Sequence, residues 1–147
     1  MTETGRSNST RQLLLGALCA LAAAEKTLQI LDETDAFERI ESYGRQLQAE
    51  IGKLLTARDV PHVFVGHPSM AGLFFAESAP TNYRDWAKSD YTLYGILAKH
   101  LHDSGILCEP DCREPWFISA AHDETCLSQT VESFEAALEA ALKEHRG

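Results

Sequence analysis

Apolar residues recur at steps of three and four on both sides of one short segment, residues 61–76, in which they do not. Upstream, Phe37, Ile40, Gly44, Leu47, Ile51 and Leu54 keep a helical period. Asp35 followed by Glu38 is a capping-box pattern, so an amphipathic helix ending near Ala57 is predicted. Pro61 blocks its continuation. His62-Val63-Phe64-Val65, closed by Gly66, predicts a strand, and His67-Pro68-Ser69 a turn. Met70 to Ala76 predicts a second strand, covered on both faces or nearly so and paired with the first. Pro80 to Lys88 is a polar connection with Tyr83 and Trp86 as aromatic anchors. Ser89 is the predicted cap of a helix with the stripe Leu93, Ile96, Leu97, His100 and Leu101, ended by Gly105. Ile106-Leu107-Cys108 and Trp116-Phe117-Ile118-Ser119 predict two more short strands around a proline-containing loop. A last helix, from about Glu124 to Glu144, buries Leu127, Val131, Phe134, Leu138 and Ala141. Ahead of all these, a polar tail of residues 1–10 leads into a helix from about Arg11 to Leu31. Strands and helices do not alternate, so the expected class is α+β: a small, mainly antiparallel sheet of three or four strands packed with helices.

At 147 residues the chain is expected to hold one domain, residues 11–147, behind the tail. Its net charge of −9 repels phosphate backbones and anionic headgroups, so neither nucleic acid nor a membrane surface is an expected partner. Near the N-terminus, Arg6 and Arg11 precede the run Leu13 to Leu21, and Ala22-Ala23-Ala24 follows, an arrangement that imitates a secretory signal. The run continues through Glu25-Lys26-Thr27 into Leu28, Ile30 and Leu31 with no turn residue, which favours a core-facing helix in a cytoplasmic protein. Secretion is the alternative, if residues 1–24 act as a signal peptide. An apolar run of about twelve residues is too short for a bilayer span.

Few constellations suit chemistry. Cys108-x3-Cys112 followed by His122-x3-Cys126 supplies four zinc-capable side chains, but Pro110 and Asp111 widen the gap beyond the usual knuckle, and incidental reduced cysteines are the preferred reading. Gly66 to Gly72 has one residue too many on each side of Ser69 for a nucleophile elbow. Ser119 and His122 are spaced to meet at a helix entrance, where a capping or core hydrogen bond is favoured over a catalytic pair that has no third member. His100 and His102 fall on different sides of a helix. Lys26, Lys53, Lys88, Lys99 and Lys143 all sit among charged residues, without the apolar surroundings of a Schiff-base lysine.

Three blocks carry a resemblance: Gly66-His67-Pro68-Ser69-Met70-Ala71-Gly72-Leu73-Phe74-Phe75, Asn82-Tyr83-Arg84-Asp85-Trp86, and the stretch Cys108 to Thr125 with Phe117-Ile118-Ser119-Ala120-Ala121-His122 inside it. In this order and spacing, over roughly Ala17 to Leu142, the chain resembles the C-terminal domain of class III pyridoxal-phosphate-dependent aminotransferases, especially the branch that looks like glutamate semialdehyde aminomutase. The family's Gly-Thr-x-x-x-Asn-Pro segment, whose threonine contacts the cofactor phosphate, would fall at about Gln12 to Leu18. Leu13 stands there for the threonine, and Ala17-Leu18 for Asn-Pro.

The resemblance implies that the large domain, with the cofactor-binding lysine and the aspartate facing the pyridine nitrogen, would lie upstream of residue 1. It therefore implies a chain inactive alone, with no catalytic, cofactor-binding or metal-binding residue of its own. Pyridoxal phosphate belongs to the full-length relatives, which move an amino group between small amino and keto substrates. The implied partners are the chain itself or a large-domain polypeptide. Arg113, Trp116, Ser69 and Met70 are the implied substrate-side residues, and pairing of Arg113 with Asp111 or Glu114 is the structural alternative for the first. A catalytically dead interaction or dimerisation module is the alternative function, with a metal-binding domain behind it.

Overall fold

The computed structural model describes residues 3–146, with side chains from Arg11 onward. The chain divides into two units, residues 1–37 and 38–147. The first unit is dominated by α1, Glu3–Glu33. It starts well before the predicted Arg11: residues 3–10, polar but free of proline, extend the helix instead of forming a tail. Met1 and Thr2, the rest of the predicted tail, lie outside the described residues.

Arg11–Glu33 of α1 is long and apolar enough to cross a membrane by length and composition alone. The shorter span read from the sequence stopped at Ala24 and left out the continuation through Leu28, Ile30 and Leu31. Taken by itself, α1 leaves Leu14, Leu18, Leu21 and Leu28 exposed, at 59%, 65%, 67% and 67%.

α2, Ala36–Thr56, runs into the second unit, where its buried stripe is Tyr43, Leu47, Ile51 and Leu55, with Leu54 half-buried. Its end is sealed by the Val60 amide on the Leu55 carbonyl at 3.0 Å, with Asp59 in the left-handed region. Next come β1, Val63–His67, and β2, Met70–Phe74, an antiparallel pair closed by the two-residue turn Pro68-Ser69. Ala71 to Phe75 are all buried, as their apolar character predicts. Gly66, at φ +110°, takes a conformation that side chains avoid, and a Cβ there would meet the Met70 carbonyl oxygen at 2.7 Å.

The predicted polar connection contains a short helix, α3, Tyr83–Trp86, capped by Asn82. α4, Tyr91–Asp103, follows. Its cap is Asp90 rather than the predicted Ser89. The Asp90 carboxylate accepts from the Leu93 amide at 2.9 Å, while Ser89 is buried and its hydroxyl donates to the Trp86 carbonyl at 2.6 Å. Gly105 ends the turn at φ +84°, as expected.

Ile106-Leu107-Cys108 is not a strand, and β3 is only Trp116–Phe117. The sheet therefore has three antiparallel strands in the order β1-β2-β3, with β2 central. α5, Glu124–His145, is capped by Asp123 and packs on α4 through Phe134, Ala137, Leu138 and Ala141. Leu127 and Val131 are only half-buried. Helices α2, α4 and α5 with the sheet enclose one core, so the class is α+β as predicted.

Candidate functional site

Residues 106–115, joining α4 to β3, are held by the end of α4 and by side chains rather than by a ladder, which is why the predicted strand is absent. The Ile106 amide bonds the Leu101 carbonyl at 2.9 Å, and the Cys108 amide donates to His102 Nε2 at 3.4 Å. The Tyr94 hydroxyl, on α4, donates to the Glu109 carbonyl at 3.2 Å and accepts the Trp116 indole N–H at 2.8 Å. Trp86 Nε1 donates to Cys112 Sγ at 3.1 Å. Burial raises the Tyr94 phenol above its ordinary pKa, raises the Cys112 thiol, and pushes the Cys108 thiol up to about 11, so all three are protonated near neutrality.

Of the expected substrate-side residues, Ser69, Met70 and Trp116 lie at one end of the sheet, but the register puts Met70 and Trp116 on opposite faces of it. Met70 faces Phe117, Trp116 faces Ala71, and the Ile118 amide donates to the Ser69 carbonyl at 3.0 Å. His67 Nδ1 accepts from the Ser69 amide at 3.4 Å and lies 2.9 Å from its hydroxyl. Met70 and Phe117 are exposed at 48% and 67%, an apolar pair on one side of the sheet. Trp116 is less available: it stands edge-on to Phe134, and its N–H is taken by Tyr94.

Arg113 is not part of this group. Its guanidinium ion-pairs with Asp111, and its carbon lies 4.7 Å from the centre of the Trp86 ring. That is the pairing with Asp111 named as the alternative. The hydrogen bond from Arg113 holds the Asp111 carboxyl below the usual carboxylate range.

A cavity of about 260 Å³ adjoins the junction, bounded by Tyr43, Ile106, Leu107, Trp116, Phe117 and His122 among others. It is mostly apolar. His122 lines it, and Ser119 meets His122 as the spacing predicts, the hydroxyl 3.1 Å from Nδ1. The Ser119 amide also donates to that nitrogen at 3.0 Å, so the contact closes a turn ahead of α5. The opposite neighbour of the imidazole is the Tyr43 ring, at 5.2 Å. Among the described residues, no group of three or more His, Cys, Asp or Glu side chains could hold a metal ion, because Cys112 is turned to Trp86. Lys26, Lys53, Lys88, Lys99 and Lys143 are all exposed; Lys53 pairs with Glu50 at 2.6 Å and Lys88 with Asp85 at 3.4 Å.

Tyr94, His102 and Phe117 went unread as organisers of this region. Tyr94 and His102 act on segments further along the chain, which helical spacing does not reveal. Phe117 is legible as strand propensity and as the start of Phe117-Ile118-Ser119-Ala120-Ala121-His122, but not as the exposed partner of Met70.

No protein-family model matches the chain. It is 36% identical over 121 residues to a glutamate-1-semialdehyde 2,1-aminomutase of Thermoplasma acidophilum, a match covering 82% of this chain and 28% of that protein. A glutamate-1-semialdehyde 2,1-aminomutase 2 of Brevibacillus brevis is 30% identical over 130 residues, covering 88% and 30% respectively. The chain thus spans less than a third of the length of these curated relatives. Among solved structures, the pyridoxal phosphate (PLP) internal aldimine form of the FumI protein of Sphingopyxis sp. MTA144 superposes with a TM-score of 0.73 at 25% identity, covering 86% of this chain and 28% of that one. An omega-transaminase from Sphaerobacter thermophilus shares the fold with a TM-score of 0.64 at 24% identity, covering 72% and 24%.

Proposed function

The chain belongs to the glutamate-1-semialdehyde 2,1-aminomutase family over the C-terminal part of those enzymes, and from that premise we propose that it serves as the C-terminal domain of a class III transaminase or aminomutase. It works in the cytoplasm on small amino and keto substrates, with pyridoxal phosphate supplying the electron sink when bound. The lysine that holds the cofactor is not among residues 1–147, and these residues perform no transfer by themselves.

The observation that carries this division of labour is the setting of the lysines. A lysine that holds the cofactor needs a shielded pocket, whereas all five here are exposed and two are tied to neighbouring carboxylates. This chain supplies shape on the substrate side. Ser69, Met70 and Trp116 form one end of the sheet, and the loop carrying Arg113 stands beside them in sequence, where a guanidinium turned from Asp111 would clamp a substrate carboxylate bidentately. The buried chain from Trp116 through Tyr94 to Glu109 positions that loop and moves no proton.

Replacing the matched segment of the Thermoplasma acidophilum enzyme by residues 17–142 of this chain tests the reading. A folded chimera that retains amino transfer supports it. A folded chimera that binds pyridoxal phosphate and transfers nothing would overturn it, in favour of an interaction module, the second reading, which the exposed leucines of α1 favour.

A further inference from the structure

The hairpin turn Pro68-Ser69 is seated on α2 at Gly44, a position without a side chain, where a Cβ would lie 2.1 Å from the Pro68 carbonyl oxygen. That seat brings the turn to Glu41, which lies one helical turn before Arg45 on α2. The Ser69 hydroxyl is 2.9 Å from His67 Nδ1, and His67 Nε2 is 3.7 Å from Glu41 Oε2. The Ser69 amide also donates to Nδ1, at 3.4 Å. That nitrogen is therefore an acceptor, and the neutral ring carries its proton on Nε2, toward the carboxylate. Arg45 Nε donates to the other Glu41 oxygen at 3.0 Å, and the bond from Arg45 holds the Glu41 carboxyl below its ordinary range.

We infer that Ser69, His67 and Glu41 form an acyl-transfer site, with Ser69 as nucleophile, His67 as general base and Glu41 as the positioning residue that orients the imidazole. Among the described residues one other serine hydroxyl meets a histidine ring nitrogen, that of Ser119 at His122, and the carboxylates that pair with histidines are on His67, His100 and His145 instead. In the step, Ser69 Oγ bonds to the carbonyl carbon of an ester while its proton passes to Nδ1. The bond to the leaving oxygen breaks and that oxygen takes the proton. Water then adds to the acyl carbon with His67 again as base, releasing a carboxylic acid and restoring the serine hydroxyl.

The surroundings define the substrate. The register sets His67, Met70 and Phe117 in one row on one face of the sheet, so the base stands beside an exposed apolar pair that suits an aryl group. Pro68 has no amide and the Ser69 amide is turned to His67, so neither turn residue offers an N–H to an oxyanion. That confines the reaction to esters with a good leaving group, and the net charge of −9 favours neutral ones. The site does not rest on amino transfer and needs no cofactor.

The full chain mixed with excess p-nitrophenyl acetate should release p-nitrophenolate, and a digest of the quenched mixture should carry the acetyl group on Ser69. Ser69→Ala should abolish that adduct and the release that accompanies it. His67→Gln, on an exposed residue, should slow acylation about a hundredfold. Glu41→Gln should slow it roughly twofold to fivefold, as an exposed pair implies, and should let the imidazole populate its second tautomer in nitrogen-15 spectra, a change that altered packing alone would not produce. Acetylation of lysines or of Ser119 with Ser69 left bare overturns the inference. So does release that survives Ser69→Ala, or a rate indifferent to His67→Gln or to Glu41→Gln.

Discussion

The phenol of Tyr94 joins two parts of the chain that have no backbone bond to each other, accepting from Trp116 and donating to Glu109. Tyr94→Phe leaves a half-buried indole N–H without its acceptor, and the cost of an unmade bond at such a site is about 1–3 kcal/mol. Urea unfolding should show that loss as a lower midpoint with an unchanged slope; an unchanged midpoint would mean that water replaces the phenol. Arg113 gives the opposite kind of prediction. Its pair with Asp111 is exposed, so Arg113→Ala should hardly move the urea midpoint. In a chimera active on amino acids, the same substitution should weaken carboxylate substrates on the order of tenfold to a hundredfold and spare a substrate lacking the carboxylate. Equal loss for both, or none, would leave Arg113 as a loop residue stacked on Trp86. Both pairings were partly legible in the sequence: Asp111 stands two residues from Arg113, whereas Tyr94 and Trp116 are brought together only by the packing of α4 beneath β3.

Between elements, the closest fit is that of α2 against the hairpin turn. A Cβ on Gly44 would lie 2.1 Å from the Pro68 carbonyl oxygen, inside any tolerable contact with a backbone atom. Alanine is the better helix former, yet Gly44→Ala should destabilise by about 1–3 kcal/mol through overpacking, read from thermal or urea midpoints. A gain in stability would show that the turn moves aside freely.

At the start of α5, Asp123 accepts from the Cys126 amide at 2.9 Å, and that bond lowers its pKa. A carboxyl lowered on folding stabilises the fold above its unfolded pKa of about 3.9 and loses that contribution as pH falls through the lower folded value. Asp123→Asn keeps a capping oxygen without the charge. It should therefore flatten the acid side of the stability curve, and an unaltered curve would contradict the assignment. The helices and the hairpin were readable from period and punctuation because their signals are local. The segment Ile106–Cys108 was misread as a strand because its composition suits one. Its backbone is instead met by His102 and the end of α4, partners that no short window contains.

Across the molecule, relatedness and chemistry point to a division of labour. The matched relatives extend far beyond the part they share with this chain, and the lysines here are exposed. The folded unit of residues 38–147 supplies a packed α+β body with an apolar pair, Met70 and Phe117, on its surface. The first unit supplies α1 with its exposed leucines. The central claim is that amino transfer requires a cofactor lysine that is not among residues 1–147. The purified chain should be saturated with pyridoxal phosphate, reduced with borohydride and digested, and each lysine assayed by mass for the phosphopyridoxyl adduct alongside turnover of an amine donor. The account predicts at most low, scattered labelling of exposed lysines and no turnover; stoichiometric modification of one lysine together with transfer to a keto acid would contradict it.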